Sequence, residues 1–286
     1  MEKNTDWAGG QFYICNPILS IMYSASSLAL KFVNYYLRAS NGQGHGVHSP
    51  FVFDFIKFVK NDRRQYPCYA PIEKMRRELL RNKDRIQVQD FGAGSSVIKS
   101  NERVVGQMAA SSLKPRKFAQ LLFRMVQKYQ PQTLLELGTS FGITSAYLCN
   151  GNANGKLYTL EGSPSIAQIA RKNFEQLGIK NVELIEGDFA QTLQPLLQQL
   201  PVIDFAFVDG NHQKEPTLQY FEALLGKAHE NSILVFDDIH WSRPMEEAWE
   251  MIKANARVTL SIDLFFIGIV FLRTDFNVKQ DFCVRF

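Results

Sequence analysis

Acidic side chains lie at or beside the ends of four apolar runs after residue 130, where carboxylates could bind a ligand or a cation. The runs span residues 133–137, 156–161, 203–209 and 232–238, and their acids are Glu136, Glu161, Asp209, Asp237 and Asp238. A carboxylate next to a buried strand needs a partner, a cation or a proton. Because the carboxyl ends of parallel strands meet at one edge of a sheet, we expect these acids to line a single crevice.

A glycine-bearing turn follows the first of these acids. The run 133–137 leads into Gly138 and Gly142 and then into the helical stretch 143–149, which predicts a strand, a tight turn and a helix N-terminus. Ligands bind at such turns in α/β folds, because free backbone N–H groups point at them. A dinucleotide fingerprint beginning at Gly138 would need glycines where the chain has Ser140 and Ile143, so a nicotinamide cofactor is disfavoured.

Glu161 ends the next apolar run, 23 residues after Gly138. A carboxylate at the end of that strand can accept hydrogen bonds from both ribose hydroxyls of an adenosine ligand. The alternative is a carboxylate stabilised by the dipole of the following helix, and the two interpretations are compatible.

The last two acidic strand ends continue with histidines, as Asp209-Gly-Asn-His212 and Asp237-Asp238-Ile-His240. No lysine or arginine lies within two residues of the three aspartates along the chain. Three uncompensated carboxylates would repel one another, and a hard divalent cation such as Mg²⁺ would relieve that repulsion. The competing interpretation is that an aspartate caps a helix and that His212 or His240 serves as a general base.

Hydrophobic periodicity predicts an α/β fold around these strand ends. Strands are expected at 133–137, 156–161, 182–186, 203–208 and 232–236, with helices at 115–129, 143–149, 164–177, 189–199, 215–229 and 243–254. This alternation requires a parallel sheet with right-handed crossovers. Two final strands, 258–264 and 266–272, leave no room for a helix between them and predict a terminal antiparallel hairpin.

The first 114 residues differ from the rest in charge. They carry 16 Lys and Arg against 9 Asp and Glu, a net +7, whereas residues 115–286 carry 16 against 19, a net −3. Helices are expected at 26–38, 51–59 and 72–85, the last an exposed basic helix, and the glycine-rich stretch 90–96 is expected to be a turn or flap near the active site. We therefore predict an N-terminal helical lid and acceptor-side segment, 1–114, and a Rossmann-like domain, 115–286.

The cysteines and the hydropathy of the chain indicate its expected cellular location. The four cysteines lie far apart and give neither a disulfide framework nor a C-x-x-C zinc motif, so a cytoplasmic location is expected. Polar residues interrupt the apolar stretch 14–37, so no membrane span is predicted. Met22 is an alternative natural start to Met1. A homodimer is compatible with the sequence, which does not define the oligomeric state.

The order of these features resembles class I S-adenosylmethionine (SAM) dependent methyltransferases. Glu136, Gly138 and Gly142 match the E-x-G-x-x-x-G motif I of that family, Glu161 matches the motif II acid, and the terminal hairpin is typical of its sheet. The resemblance covers about 170 residues in family order. It implies SAM as the cofactor, bound by Glu136, Gly138, Thr139, Ser140, Gly142, Glu161, Gly162, Ser163, Gly187, Asp188, Phe189 and Asp209.

The resemblance also implies individual roles. In the family the motif I loop wraps the methionine part of the cofactor, and its acid helps to hold the ammonium group. Glu161 is then expected on the ribose, Asp188 on the adenine amino group and Phe189 on a face of the ring.

The nearest branch is that of the small-molecule O-methyltransferases of the catechol and caffeoyl-CoA type. Asp209, Asp237 and Asp238 align with the metal-binding positions of that branch, although its third position is usually Asn. The lysine-containing stretch that follows the first aspartate in the branch is replaced here by Gly-Asn-His212. Asp209, His212 and His240 are the predicted catalytic residues.

The expected activity is SAM-dependent O-methylation of a small hydroxylated acceptor with a vicinal diol or catechol-like group. One alternative is an RNA methyltransferase that binds RNA phosphates with the positively charged front segment, residues 1–114. It is disfavoured because no N-P-P-[YF] motif follows residues 203–208. The second rival is a non-catalytic SAM-binding protein, and the intact acids at all the strand ends argue against it.

Overall fold

The computed structural model describes residues 22–40, 42–44, 48–90, 99–276 and 278–286. The glycine-rich stretch predicted to form a turn or flap lies mostly outside these residues. The helices of the described part are α1 (Ala25–Arg38), α2 (Pro50–Phe55) with a π-helical continuation (Ile56–Lys60), α3 (Tyr69–Arg81), α4 (Val105–Ser112), α5 (Arg116–Tyr129), α6 (Ile143–Gly151), α7 (Pro164–Gln176), α8 (Phe189–Gln199), α9 (Lys214–Leu225) and α10 (Arg243–Ala254). The strands are β1 (Arg85–Asp90), β2 (Lys99–Val104), β3 (Thr133–Leu137), β4 (Lys156–Glu161), β5 (Val182–Glu186), β6 (Ile203–Val208), β7 (Ala228–Asp237), β8 (Leu260–Asp263), β9 (Ile267–Phe271) and β10 (Gln280–Cys283).

The main sheet has eight described strands in the order β10-β8-β9-β7-β6-β3-β4-β5. Strands β3 to β7 are parallel, and β8 and β9 form the antiparallel hairpin beside β7. The predicted α/β class, the five parallel strands and the terminal hairpin are confirmed. The sequence analysis missed β10, which pairs in parallel with β8. Its residues, Gln280-Asp-Phe-Cys283, form no apolar run because β10 is a partly exposed edge strand.

Both faces of the sheet are covered, so β3 is apolar on both sides. Leu134 packs with α2 and α5 on one face, and Leu135 and Leu137 pack with α8 and α9 on the other. Alternate side chains of a strand point to opposite faces, which produces this division. Such a strand is a rigid support for the turn that follows it.

Helix α5 delivers the chain to β3. Its apolar stripe, predicted from the sequence, is buried and includes Leu121, Leu122, Met125 and Val126. The helix ends at Tyr129, and Gln130, which follows it, adopts a left-handed conformation with a φ of 51°. This C-terminal turn redirects the chain into β3, which begins three residues after Gln130.

The front segment shares its hydrophobic cores with the rest of the chain. Val52, Phe55, Ile56 and Val59 are fully buried in the cluster that covers one face of the sheet. Arg124 of α5 is also buried, and its Nε donates a 2.6 Å hydrogen bond to the carbonyl oxygen of Val59. That bond satisfies one of the carbonyl groups left unpaired at a helix end.

Helix α3 corrects one prediction. It ends at Arg81, not at 85, and Ile72, Met75 and Leu79 on one face are buried against α5 and α6. The prediction of an exposed basic helix was wrong for this face: Lys74, Arg77 and Arg81 are exposed, but Arg76 is buried. In the described part of the chain, no helix is both long and apolar enough to cross a membrane.

Candidate active site

Glu136 lies in β3 and is fully buried. Its Oε2 accepts hydrogen bonds from the hydroxyls of Ser145 and Thr159, the latter at 2.7 Å. Its Oε1 is also buried and has no hydrogen-bond partner in the described part of the chain. Burial raises the pKa of Glu136 to about 8, because the two hydroxyl donors only partly replace the lost hydration. A buried, unpaired acceptor of this kind fits the ammonium group of a ligand.

Gly138 begins the turn after β3 and touches the end of β6. It has a φ of 104°, and a Cβ atom placed on it would lie 2.1 Å from the carbonyl oxygen of Asp209. Backbone N–H groups of Gly138 and Thr139 donate to the Leu160 carbonyl oxygen at 3.0 and 3.1 Å. Only glycine fits between the two neighbouring strand ends at this distance.

Ser140 and Gly142 complete the turn with left-handed φ values of 49° and 78°. A Cβ atom on Gly142 would lie 2.5 Å from the Phe174 ring of α7, so the turn packs closely against that helix. The backbone N–H of Ser140 donates a 2.9 Å bond to Oε2 of Glu161. The turn and the end of β4 are therefore joined directly.

Glu161 has little exposed surface, at 9%. Its Oε1 accepts a 2.9 Å bond from the backbone N–H of Ser163, and the Gly162 N–H also interacts with the carboxylate. Burial raises its pKa, and these backbone donors oppose the shift. Each oxygen keeps a second lone pair, so the carboxylate can still accept hydrogen bonds from a ligand's hydroxyls.

The stretch after β5 also reaches this edge of the sheet. Gly187, with a φ of 133°, donates its N–H to the Glu161 carbonyl oxygen at 2.9 Å. Asp188 caps α8 by accepting a 3.0 Å bond from Ala190 N–H, and the Phe189 ring lies edge-on to Tyr220. The predicted contacts of Asp188 and Phe189 with an adenine ring stay predictions.

The three aspartates at the ends of β6 and β7 meet in one cluster, together with a lysine from the front segment. The ammonium group of Lys114 bonds to Oδ2 of Asp237 and lies 3.5 Å from Oδ1 of Asp209. Burial lowers the pKa of Lys114, but Asp209, Asp237 and Asp238 raise it more, so its pKa lies above the ordinary value. Burial and the neighbouring Asp209 raise the pKa of Asp237.

Lys114 corrects the premise that the three carboxylates are uncompensated. It lies 95 positions before Asp209 along the chain, so a search among sequence neighbours does not find it. The only local signal is its place directly before Pro115, at the start of the helix that leads to β3. Ser145 and Thr159, which hold Glu136, were also missed because small hydroxyl residues in buried elements carry no distinctive pattern.

The predicted metal site stays a prediction. Carboxylate and imidazole atoms of Asp209, His212 and Asp237 lie within 4.8 Å of one another and are a donor set that could hold a divalent ion. The ammonium group of Lys114 occupies the space beside Asp209 and Asp237. Lys114 and a divalent ion would therefore compete for the same two carboxylates.

His212 faces the cluster without a strong hydrogen bond to it. Its Nε2 lies 3.7 Å from Oδ1 of Asp209 and its Nδ1 lies 3.9 Å from Oδ2 of Asp238. Asn211 and Asp238, which flank this space, have left-handed φ values of 65° and 54°. Such conformations are unfavourable outside glycine and concentrate at functional sites.

His240 is held elsewhere, and this contradicts its predicted role as a base. Its Nδ1 lies 3.1 Å from Oε1 of Glu246 and its Nε2 lies 2.8 Å from Oδ2 of Asp263. Burial lowers its pKa, but the two carboxylates raise it more, and the net shift is upward. With a carboxylate beside each ring nitrogen, His240 leaves neither nitrogen free for an acceptor hydroxyl. Glu246 also binds Lys31 and Tyr23, so His240 belongs to a contact that fastens α1 to α10.

Comparisons with known proteins show methyltransferases among the proteins similar to this chain. Residues 135–239 match a family model described as a methyltransferase domain. A catechol O-methyltransferase of Niastella koreensis is 30% identical over 145 residues, which are 49% of this chain and 63% of that protein. A catechol O-methyltransferase of Mycobacterium tuberculosis is 28% identical over 158 residues, 54% of this chain and 69% of that protein. The chain thus spans about two thirds of the length of these curated relatives.

The fold is also that of a solved O-methyltransferase. The O-methyltransferase from Bacillus cereus, in complex with SAH, superposes with a TM-score of 0.53 at 20% sequence identity. The superposition covers 75% of this chain and 95% of the Bacillus cereus chain. At this level of identity the likeness concerns the fold.

Proposed function

We propose that this chain, a class I methyltransferase by its fold and its domain match, transfers the methyl group of SAM to a hydroxyl oxygen of a small acceptor. The observation that carries the proposal is the pair of buried carboxylates, Glu136 and Glu161, on adjacent strands beside a glycine turn. The unpaired Oε1 of Glu136 suits the ammonium group of SAM, and the remaining lone pairs of Glu161 suit the ribose hydroxyls.

The acceptor class follows from the aspartate cluster and from the relatives. Two relatives carry the name catechol O-methyltransferase, which supports an aromatic or vicinal diol as the acceptor. The cluster of Asp209, Asp237 and Lys114 offers both acceptors and a donor for two neighbouring hydroxyls. A small acceptor, and not a nucleic acid, is therefore part of the proposal.

The chain's own residues have defined tasks in this reaction. When bound, SAM supplies an electrophilic methyl group, so that a C–O bond forms as the C–S bond breaks and its electron pair stays on sulfur. His212 is assigned to accept the proton of the acceptor hydroxyl, since neither ring nitrogen makes a short hydrogen bond to the cluster. Asp209 orients that hydroxyl, and the buried walls of the crevice exclude water from it.

The front segment is proposed as the acceptor-side wall. Its first described residue, Met22, forms a bridge with Ser242, and Tyr23 N–H donates to the Trp241 carbonyl oxygen at 3.3 Å. At its other end, the hydroxyl of Ser112 lies 3.0 Å from that of Ser140 in the motif I turn. Both ends of the segment thus reach the edge of the sheet that carries the acids.

Glu161→Ala is the direct test of the cofactor site. We expect SAM to bind about 2–4 kcal/mol more weakly, because two charge-assisted hydrogen bonds to the ribose are lost. This corresponds to an increase in Kd of about 30-fold to 900-fold in isothermal titration calorimetry. The control is Glu186→Ala, an exposed acid opposite Glu161 in the register of β4 and β5, which should leave the Kd unchanged. Equal affinity of Glu161→Ala and the parent protein, with both folded, would remove the assignment.

Binding of SAM is expected to depend on pH through Glu136. At pH 5.5–7.5 the buried carboxyl group carries a proton, because burial raises its pKa to about 8. The ammonium group of SAM favours the carboxylate, so binding releases this proton, and the affinity should rise by up to about tenfold for each pH unit in this range. Calorimetry in two buffers of different ionisation enthalpy measures the released proton. Glu136→Gln should bind weakly and with no pH dependence, and a constant affinity of the parent protein from pH 5.5 to 7.5 would contradict the prediction.

A further inference from the structure

We infer that Lys114 is the resident cation of the aspartate cluster and holds the acceptor's hydroxyl oxygen there, in place of a divalent ion. The inference rests on the proposed methyl transfer and adds a residue to it that the family match, 135–239, does not include. The Lys114 side chain is 12% exposed, and its Nζ contacts Asp237 and Asp209. An ammonium group has three N–H donors, so one remains for an acceptor oxygen beside the two carboxylates.

The chain holds the backbone of Lys114 in a fixed place. Nη1 of Arg76 donates a 2.7 Å hydrogen bond to the Lys114 carbonyl oxygen. Arg76 itself is buried and forms a 3.0 Å ion pair with Glu73, which also accepts a 2.8 Å bond from the hydroxyl of Tyr147. Pro115 follows and fixes the start of α5. This buried network aims the Lys114 side chain at the cluster and separates it from an ordinary surface lysine.

The charges of the cluster make Lys114 and a divalent ion alternatives. An ion bound by both Asp209 and Asp237 would lie in the space of the Lys114 ammonium group, in contact with another positive charge. The repulsion between two cations in a buried site is large. With Lys114 in place, the carboxylates already have a hydrogen-bonded cation, so a metal ion is not required to relieve their repulsion.

The same arrangement gives Lys114 a part in the chemistry. A positive charge beside the acceptor hydroxyl stabilises the negative charge that develops on its oxygen as His212 takes the proton. In magnesium-dependent chemistry the ion would supply that stabilisation. Here the positive charge comes from the front segment, so the acceptor site is complete only when residues on both sides of position 115 are present.

The experiment compares Lys114→Met and Lys114→Arg with the parent protein. Calorimetry should give the same Kd for SAM in all three, since Lys114 makes no contact with Glu136 or Glu161 among the hydrogen bonds and ion pairs of the described residues. With a catechol as acceptor, kcat of Lys114→Met should fall about 100-fold, the loss typical of removing one preorganised donor. Lys114→Arg, which keeps the charge, should retain more activity. Lys117→Met, which removes an exposed lysine of α5 outside the cluster, should leave kcat unchanged.

Binding of Mn²⁺ tests the role of Lys114 independently of the proposed methyl transfer. Electron paramagnetic resonance of the parent protein with Mn²⁺ alone should show no bound ion, whereas Lys114→Met should bind Mn²⁺ because three carboxylates are left without their cation. The activity of the parent protein should survive EDTA. Tight Mn²⁺ binding to the parent protein, or loss of its activity in EDTA with recovery in Mg²⁺, would overturn the inference. If no catechol is methylated, the proposed acceptor is wrong, and the Mn²⁺ measurements still decide the role of Lys114.

Discussion

Phe55→Ala is expected to lower the free energy of unfolding of the whole protein by about 3–5 kcal/mol, the usual cost of removing a buried phenylalanine ring. Phe55 belongs to α2 in the front segment and is fully buried. Its ring lies edge-on to Phe271 of β9, with centroids 6.5 Å apart, so its removal opens a cavity against the main sheet. Urea unfolding followed by circular dichroism measures the loss as a shift of the midpoint at constant slope.

Phe53→Ala is the matched control on the same helix. Phe53 is 41% exposed, so its truncation should cost only about 0.5 kcal/mol. A front segment that acts purely as a hinged lid would give a different result: both variants would unfold like the parent protein, and only acceptor turnover would change. A large difference between the two variants means that the segment is part of the folded core as well as a wall of the acceptor site.

The strands that support the site, and the acids at their ends, could be predicted from the sequence. Four of the five parallel strands were readable because each is a mostly apolar run with an acid at or beside its end. The fifth, β5, is an edge strand that alternates apolar and acidic residues and is only partly buried, and it was predicted from its place in the βα alternation. The sites that such strands position follow directly: Glu136, Glu161, Asp209 and Asp237 all lie at the same edge of the sheet.

Contacts between residues far apart along the chain could not be predicted from the sequence. Lys114 reaches Asp209 and Asp237 only because α5 begins at Arg116 and turns the preceding residues towards the crevice, and no spacing rule encodes that direction. His240 stands two residues after Asp238 and was taken for a base, but the carboxylates that bind it come from α10 and β8. In both cases the role of a titratable residue depends on partners that only the folded chain brings near it.

Gly138→Ala is expected to abolish SAM binding and to lower the free energy of unfolding by about 3 kcal/mol or more. Two costs add: a left-handed φ of 104° is strained for any residue with a Cβ atom, and that atom would lie 2.1 Å from the Asp209 carbonyl oxygen. The oxygen cannot easily retreat, because the Asp209 N–H donates a 2.9 Å hydrogen bond to the Leu137 carbonyl oxygen. The ends of β3 and β6 must therefore move apart, which displaces the motif I turn on one side and the aspartate cluster on the other.

Gly178→Ala separates the two costs. Gly178 follows α7 with a φ of 67°, and a Cβ atom placed there would meet no atom within 4 Å, so alanine adds backbone strain without a clash. This variant should lose about 1 kcal/mol and bind SAM normally. Thermal unfolding and calorimetry of both variants give the comparison. If Gly138→Ala proves as stable as Gly178→Ala and still binds SAM, the turn tolerates a side chain, and the close approach of the two strand ends cannot be what holds the cofactor loop beside the acceptor site.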